Sequence, residues 1–67
     1  MRYTIEADNP DGTFSTVAQF DWPGEMEKRL ENSAFLECQN PFGLARPLSV
    51  WDKETATLMA TWKPLTY

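Results

Sequence analysis

RYTIEADNPDGTFSTVAQF, residues 2–20, decides the class of the fold. Tyr3, Ile5 and Ala7 alternate with Arg2, Thr4 and Glu6, the two-residue period of a strand with one face buried. Asp8-Asn9-Pro10-Asp11-Gly12 is a dense run of turn formers. Phe14, Thr16, Ala18 and Phe20 then alternate with Ser15, Val17 and Gln19. The reading is an antiparallel hairpin of strands 2–7 and 13–20, joined by a loop longer than the tightest class.

Outward from this hairpin, Asp21-Trp22-Pro23-Gly24 has the character of a helix entry, with an acidic residue ahead and Pro in the first turn. Met26 and Leu30 fall on one helical face, and Glu25 precedes Arg29 by four residues in the favourable order. A helix over about residues 23–32, stopped at Asn32, is too short to persist alone and must pack on the sheet.

Phe35 to Gln39 reads as a third strand, with Leu36 and Cys38 on one face, broken by Asn40-Pro41-Phe42-Gly43. Leu48 and Val50, then Leu58, Ala60 and Trp62, alternate on either side of Asp52-Lys53-Glu54-Thr55 and predict a second hairpin. Pro64 ends it, because proline cannot donate to a ladder. The expected fold is therefore a single α+β domain over residues 1–67, in the order β-β-α-β-β-β. One short helix covers an antiparallel sheet of about five strands.

Chemistry is constrained by what the chain lacks. It has no histidine, which removes the usual general base, metal ligand and partner of a serine or cysteine nucleophile. Cys38 is the sole cysteine, so neither an intramolecular disulfide nor a thiolate metal site can form, and it reads as a small buried strand residue. The turn at Ala7–Gly12 places Asp11 and Asn9 where a calcium loop has ligands, but Ala7 and Ala18 stand where its first and twelfth ligands belong. Gly12, Gly24 and Gly43 are too scattered for a phosphate loop. Ser49 to Thr55 resembles one propeller hairpin, yet a propeller needs several repeats of about 40–45 residues. The expectation is a protein that is not an enzyme, with no catalytic residues, cofactor or metal.

Binding is the remaining class. The net charge is −4, unevenly spread. Residues 1–37 hold Glu6, Asp8, Asp11, Asp21, Glu25, Glu27, Glu31 and Glu37 against Arg2, Lys28 and Arg29. Such a balance disfavours direct contact with nucleic acid, where cations must replace condensed counterions, and favours a basic protein partner. Seven of these carboxylates (Glu6, Asp8, Asp11, Asp21, Glu25, Glu27 and Glu31) are the candidate acidic contact face, with Glu27 and Glu31 one turn apart on the helix. The leading expectation is an inhibitor that imitates DNA in a basic, nucleic-acid-handling groove. By analogy of size and charge alone, this is the manner of phage or mobile-element anti-defence proteins, anti-CRISPR proteins included.

The alternative expectation is an assembly protein that self-associates, as a homodimer for example, through aromatic surfaces and strand edges. Phe42 and Trp51 are its candidate anchors, since a core this small cannot hold all nine aromatics. Trp22 reads as a staple at the helix entry, and Trp51 and Trp62 as a pair across their hairpin. The lone thiol, with neither a leader nor an apolar run of membrane length in view, gives the expectation of a cytoplasmic protein without a membrane partner.

Overall fold

The fold is described by a computed structural model over residues 1–39 and 45–64. Four strands, β1 (Tyr3–Asp8), β2 (Phe14–Phe20), β3 (Leu48–Asp52) and β4 (Thr57–Trp62), form one open sheet in the order β2-β1-β3-β4. Every neighbouring pair is antiparallel. Since β2 and β3 both oppose β1, they run parallel to each other, and the chain between them is a crossover. That crossover holds a short 3₁₀ turn (Pro23–Glu25) and the helix α1 (Met26–Cys38). The helix packs against β2 and β3 and so passes over the central β1.

The first hairpin forms, but the four residues expected on one face of β2 are divided: the extra residue Val17 leaves Ala18 and Phe20 on the core side and Phe14 and Thr16 on the other. Gly12 adopts φ 89°, a left-handed conformation that costs glycine nothing. Gly12 N donates to Asn9 O at 3.0 Å and Asn9 N to Thr13 O at 2.9 Å, which closes the turn. The second hairpin turns through Lys53–Ala56. There Asp52 Oδ1 accepts from Glu54 N at 3.0 Å, and Ala56 takes a positive φ of 54°.

The core lies between the helix and one face of the sheet. Tyr3, Ile5 and Ala7 of β1, Phe20 of β2, Leu48 and Val50 of β3 and Ala34 of α1 are buried. Ala18, Met26, Leu30, Ala60 and Trp62 pack at its margin. Tyr3 and Phe20 face each other in register and stack, with ring centroids 5.1 Å apart and an interplanar angle of 14°.

The segment expected as a third strand, residues 35–39, is instead the end of α1 up to Cys38, and the sheet has four strands rather than five. The helix therefore does not stop at Asn32. The cause lies on its inner face, which reads Met26, Leu30, Ser33, Ala34, Glu37: spacings of four, seven, eight and eleven residues, a complete helical stripe. Ser33 and Glu37 are polar, so the stripe does not register as hydrophobic, whereas Phe35 and Leu36, which do, point to solvent. Cys38 accordingly sits exposed at the helix end, not buried in a strand.

Two of the tryptophan readings also change. Trp22 is 73% exposed and staples nothing. Trp51 faces Leu58 while Trp62 faces Leu48, so the two rings lie on opposite faces of the sheet and do not pair. Leu48 being buried in the core places Trp62 on the core side.

Candidate interaction surfaces

One helix covers one face of the sheet, and among the described residues no element covers the opposite face. Alternation and register define that face across three rows. Phe14 of β2 stands beside Asp8 of β1. Thr16, Glu6, Ser49 and Thr61 form the next row. Gln19, Thr4, Trp51 and Leu58 form the third. A register shift on each edge strand leaves one extra residue without a cross-strand partner, Val17 on β2 and Met59 on β4, and both are exposed. The large exposed apolar residues of the sheet are Phe14 at 64% and Val17 on the β2 edge and Leu58 and Met59 on the β4 edge, with Leu58 opposite a half-buried Trp51.

Lys53 follows Trp51 beyond the end of β3 and reaches back to Glu6, with Nζ 3.5 Å from Oε1. Its backbone lies opposite Arg2, because Lys53 N donates to Arg2 O at 2.8 Å. The lysine stem therefore spans the position of Thr4. With Gln19 and Trp51 on either side, this accounts for Thr4 being only 4% exposed on an open face.

The seven acidic candidates do not share a face. Glu6 and Asp8 lie on the open side of the sheet, Asp8 with one buried oxygen that has no hydrogen-bond partner. Asp11 is at the hairpin tip. There it accepts from Thr13 N at 3.0 Å and Thr13 Oγ1 at 2.6 Å, and the threonine hydroxyl and amide hold its pKa below the ordinary aspartate value. Its role is turn closure. Asp21 accepts from Arg2 N at 3.1 Å, and Glu25 is 3.5 Å from Arg29. Glu27 and Glu31 are exposed on α1 and make no ion pair among the described residues. Lys28 stands between them in the chain, so the helix surface is mixed in sign. Of the two aromatic candidates, Trp51 is on the open face, and Phe42 lies outside the described residues.

The helix side has apolar residues of its own, Trp22, Phe35 and Leu36. Phe35 shares its outward stripe with Lys28 and Asn32, and Leu36 shares its own with Arg29 and Asn32. These apolar groups are interrupted by charge and amide; on the open sheet face Trp51 and Leu58 are cross-strand neighbours, while Phe14 is set apart from them by Asp8, Glu6 and Thr4.

Sequence reasoning missed a polar clamp that fixes the helix to the sheet. Arg46, just ahead of β3, donates from Nε to Glu37 Oε1 and from Nη2 to Glu37 Oε2, both at 2.8 Å. Its backbone N donates to Glu37 Oε1 at 3.0 Å, and Nη1 donates to Asn9 Oδ1 at 2.8 Å. One guanidinium thus joins the end of α1, the entry to β3 and the first hairpin turn. Arg46 and its amide hold the Glu37 carboxyl below its ordinary pKa, against the opposing effect of burial. Nothing in the local pattern signals a pair nine residues apart in the chain. At the other end of the sheet Arg2 forks onto Asp52, with Nε 3.2 Å from Oδ1 and Nη2 3.0 Å from Oδ2.

Among the described residues, no three His, Cys, Asp or Glu side chains gather as a metal site would require. An open depression of about 380 Å³, lined by Met1, Thr16, Val17, Ala18 and Gln19, runs along the β2 edge and encloses nothing. No helix among the described residues is long and apolar enough to cross a membrane. No protein-family model, curated protein or solved structure matches the chain.

Proposed function

We propose that this chain is a non-enzymatic protein-binding domain whose contact surface is the sheet face left open by α1. The observation that carries the reading is the cross-strand pair of half-buried Trp51 and exposed Leu58 on that face, with Phe14 exposed at its far corner. A half-buried Trp in a rigid sheet loses little side-chain freedom on association, and such residues are the usual energetic centres of interfaces. The lone exposed thiol of Cys38 suits a reducing, cytoplasmic setting.

A second reading is the inhibitor of a basic, nucleic-acid-handling partner. It is favoured by Glu27 and Glu31, exposed one turn apart without an ion pair among the described residues, and by the net charge of −4. It loses weight because the other acidic candidates are dispersed or already engaged. The two readings use opposite faces of the molecule and separate cleanly by mutation. Capture on the tagged chain is quantified by mass spectrometry at low and high salt, for wild type, Trp51→Glu and Glu27→Lys/Glu31→Lys. Salt-insensitive capture abolished by Trp51→Glu is the expected result. Salt-sensitive capture lost only in the helix double mutant would replace it with the inhibitor reading.

A further inference from the structure

We infer that the tip of the first hairpin is a gated modification site, where Asp11 converts to isoaspartate by attack of the Gly12 nitrogen. The closed turn, through Thr13, holds the reaction off in the folded chain. This chemistry is independent of any binding partner.

The sequence singles out this bond. Aspartate and asparagine stand at positions 8, 9, 11, 21, 32, 40 and 52. Attack on such a side-chain carbonyl comes from the nitrogen of the following residue, and that residue's own side chain hinders it. Asn9 and Asn40 precede prolines, which carry no N–H. Asp8, Asp21 and Asp52 precede Asn9, Trp22 and Lys53, all with side chains, and Lys53 N is already held by Arg2 O at 2.8 Å. Asn32 lies inside α1, where the next amide belongs to the helix ladder. Asp11 alone is followed by glycine.

The fold restrains both reacting groups. Gly12 N donates to Asn9 O at 3.0 Å. Asp11 Oδ1 accepts from Thr13 Oγ1 at 2.6 Å and from Thr13 N at 3.0 Å. Those donors hold the carboxyl below its ordinary pKa, so it stays a carboxylate, which a nitrogen attacks far less readily than the neutral acid. Thr13 is held in turn. Asn9 Nδ2 donates to Thr13 Oγ1 at 3.0 Å, and Asn9 Oδ1 accepts from Arg46 Nη1 at 2.8 Å, so the restraint runs from the clamp to the tip. No atom lies within 4 Å of where a Gly12 side chain would begin, so hydrogen bonds rather than packing restrain the tip.

In the open turn the Gly12 nitrogen bonds to Asp11 Cγ, and the amide proton leaves with the carboxyl hydroxyl as water. The product is a succinimide. Water then adds to either of its carbonyls. Opening at Cγ restores aspartate. Opening at the main-chain carbonyl breaks that C–N bond, frees an α-carboxylate and leaves the chain running through Cγ. No oxidant or cofactor enters, and the mass is unchanged. The isoaspartate form lengthens the turn by one methylene and moves the carboxylate off Thr13, which loosens the Asn9 contact that Arg46 uses.

The test follows label uptake from water enriched in heavy oxygen, because every passage through the succinimide fixes one labelled oxygen in either product. The whole chain is kept at about pH 6, where a small fraction of an ordinary carboxyl is protonated, folded or in guanidinium chloride. The tryptic peptide over residues 3–28 is then fragmented by electron transfer to place the label and the isoaspartate bond. Wild type should convert at Asp11 at least about tenfold more slowly folded than denatured. Thr13→Val deletes the hydroxyl and keeps the shape; folded, it should convert about three- to tenfold faster than wild type, and equally fast in denaturant. Ile5→Val weakens the core without touching the tip and should stay within about twofold of wild type. Asp11→Glu would need a larger ring and should take up no label there. Equal rates in folded and denatured wild type, no conversion at Asp11 in denaturant, or acceleration by Ile5→Val as large as by Thr13→Val would overturn the inference. The first two of these comparisons use wild type alone and stand even where Thr13→Val fails to fold.

Discussion

Replacing Glu37 by Gln tests whether the clamp at Arg46 holds the helix to the sheet. The substitution keeps the shape of the side chain but replaces one carboxylate oxygen by an amide nitrogen, which then meets a guanidinium donor. Of the three bonds Glu37 now accepts, at 2.8, 2.8 and 3.0 Å, at least one becomes a donor facing a donor. The Glu37 side chain is 9% exposed and that of Arg46 is 27% exposed. The pair therefore lies between an exposed bridge, worth about 0–1 kcal/mol, and a buried one, whose disruption costs about 3–5 kcal/mol. An intermediate cost of about 2 kcal/mol follows. It is a large share of the roughly 3–5 kcal/mol that a domain of this size can muster. Urea unfolding followed by tryptophan fluorescence should show a midpoint lower by about 2 M at a slope near 1 kcal/mol/M, and thermal unfolding a Tm lower by about 8–16 °C.

The same variant fixes the sign of a pH effect. Glu37 has its folded pKa lowered, chiefly by the side-chain hydrogen bonds from Arg46, so its stabilisation is complete above the ordinary carboxylate value near 4.5 and is lost as pH falls through the lower folded value. Glu37→Gln should therefore show a shallower loss of stability below about pH 4.5 than wild type does. A change under about 0.5 kcal/mol at neutral pH, or parallel acid profiles, would refute the clamp as a stabilising element. In a double-mutant cycle with Arg46→Met, the two losses should fall well short of adding.

Three further outcomes are expected. Gly12→Ala should destabilise by about 1 kcal/mol in the same urea assay; a Cβ there meets nothing within 4 Å, so the cost comes wholly from the φ of 89°. Ala56→Gly should stabilise by about 0.5 kcal/mol, seen as a Tm rise of about 2–4 °C, because relief at φ 54° exceeds the added freedom of the unfolded chain. Cys38 should react with iodoacetamide in the folded protein within about threefold of the rate in urea, since it is exposed; strong protection would put it back in the core.

The hairpin of residues 2–20 was legible because β1 keeps a two-residue period and the turn contains the glycine that a positive φ demands. The faces of the edge strands were legible only in part, because the extra residues Val17 and Met59 invert the alternation and put Phe14, Thr16 and Leu58 on the side away from Ala18, Phe20, Ala60 and Trp62. Misreading residues 35–39 has a specific physical source. A helix on a small sheet needs only a narrow buried stripe, and here two of its five positions are Ser33 and Glu37. Glu37 is buried because the Arg46 guanidinium, nine residues on, meets it, a tertiary fact that no local window contains. Phe35 and Leu36 mislead in the opposite direction, being apolar and exposed. The acidic surface was overread for a related reason: composition counts charges, but strand alternation assigns Glu6 and Asp8 to one face while the helix carries Glu27 and Glu31 on the other. Alternation along β3 sets Trp51 on the face opposite Val50.

That division of faces makes the two binding readings separable. Glu27 and Glu31 are exposed on α1, whereas Trp51 and Leu58 lie on the sheet face away from the helix. Glu27→Lys/Glu31→Lys should therefore weaken capture of a basic partner and leave capture through the sheet face unchanged, and Leu58→Glu should do the reverse, although it removes no acidic group from the helix.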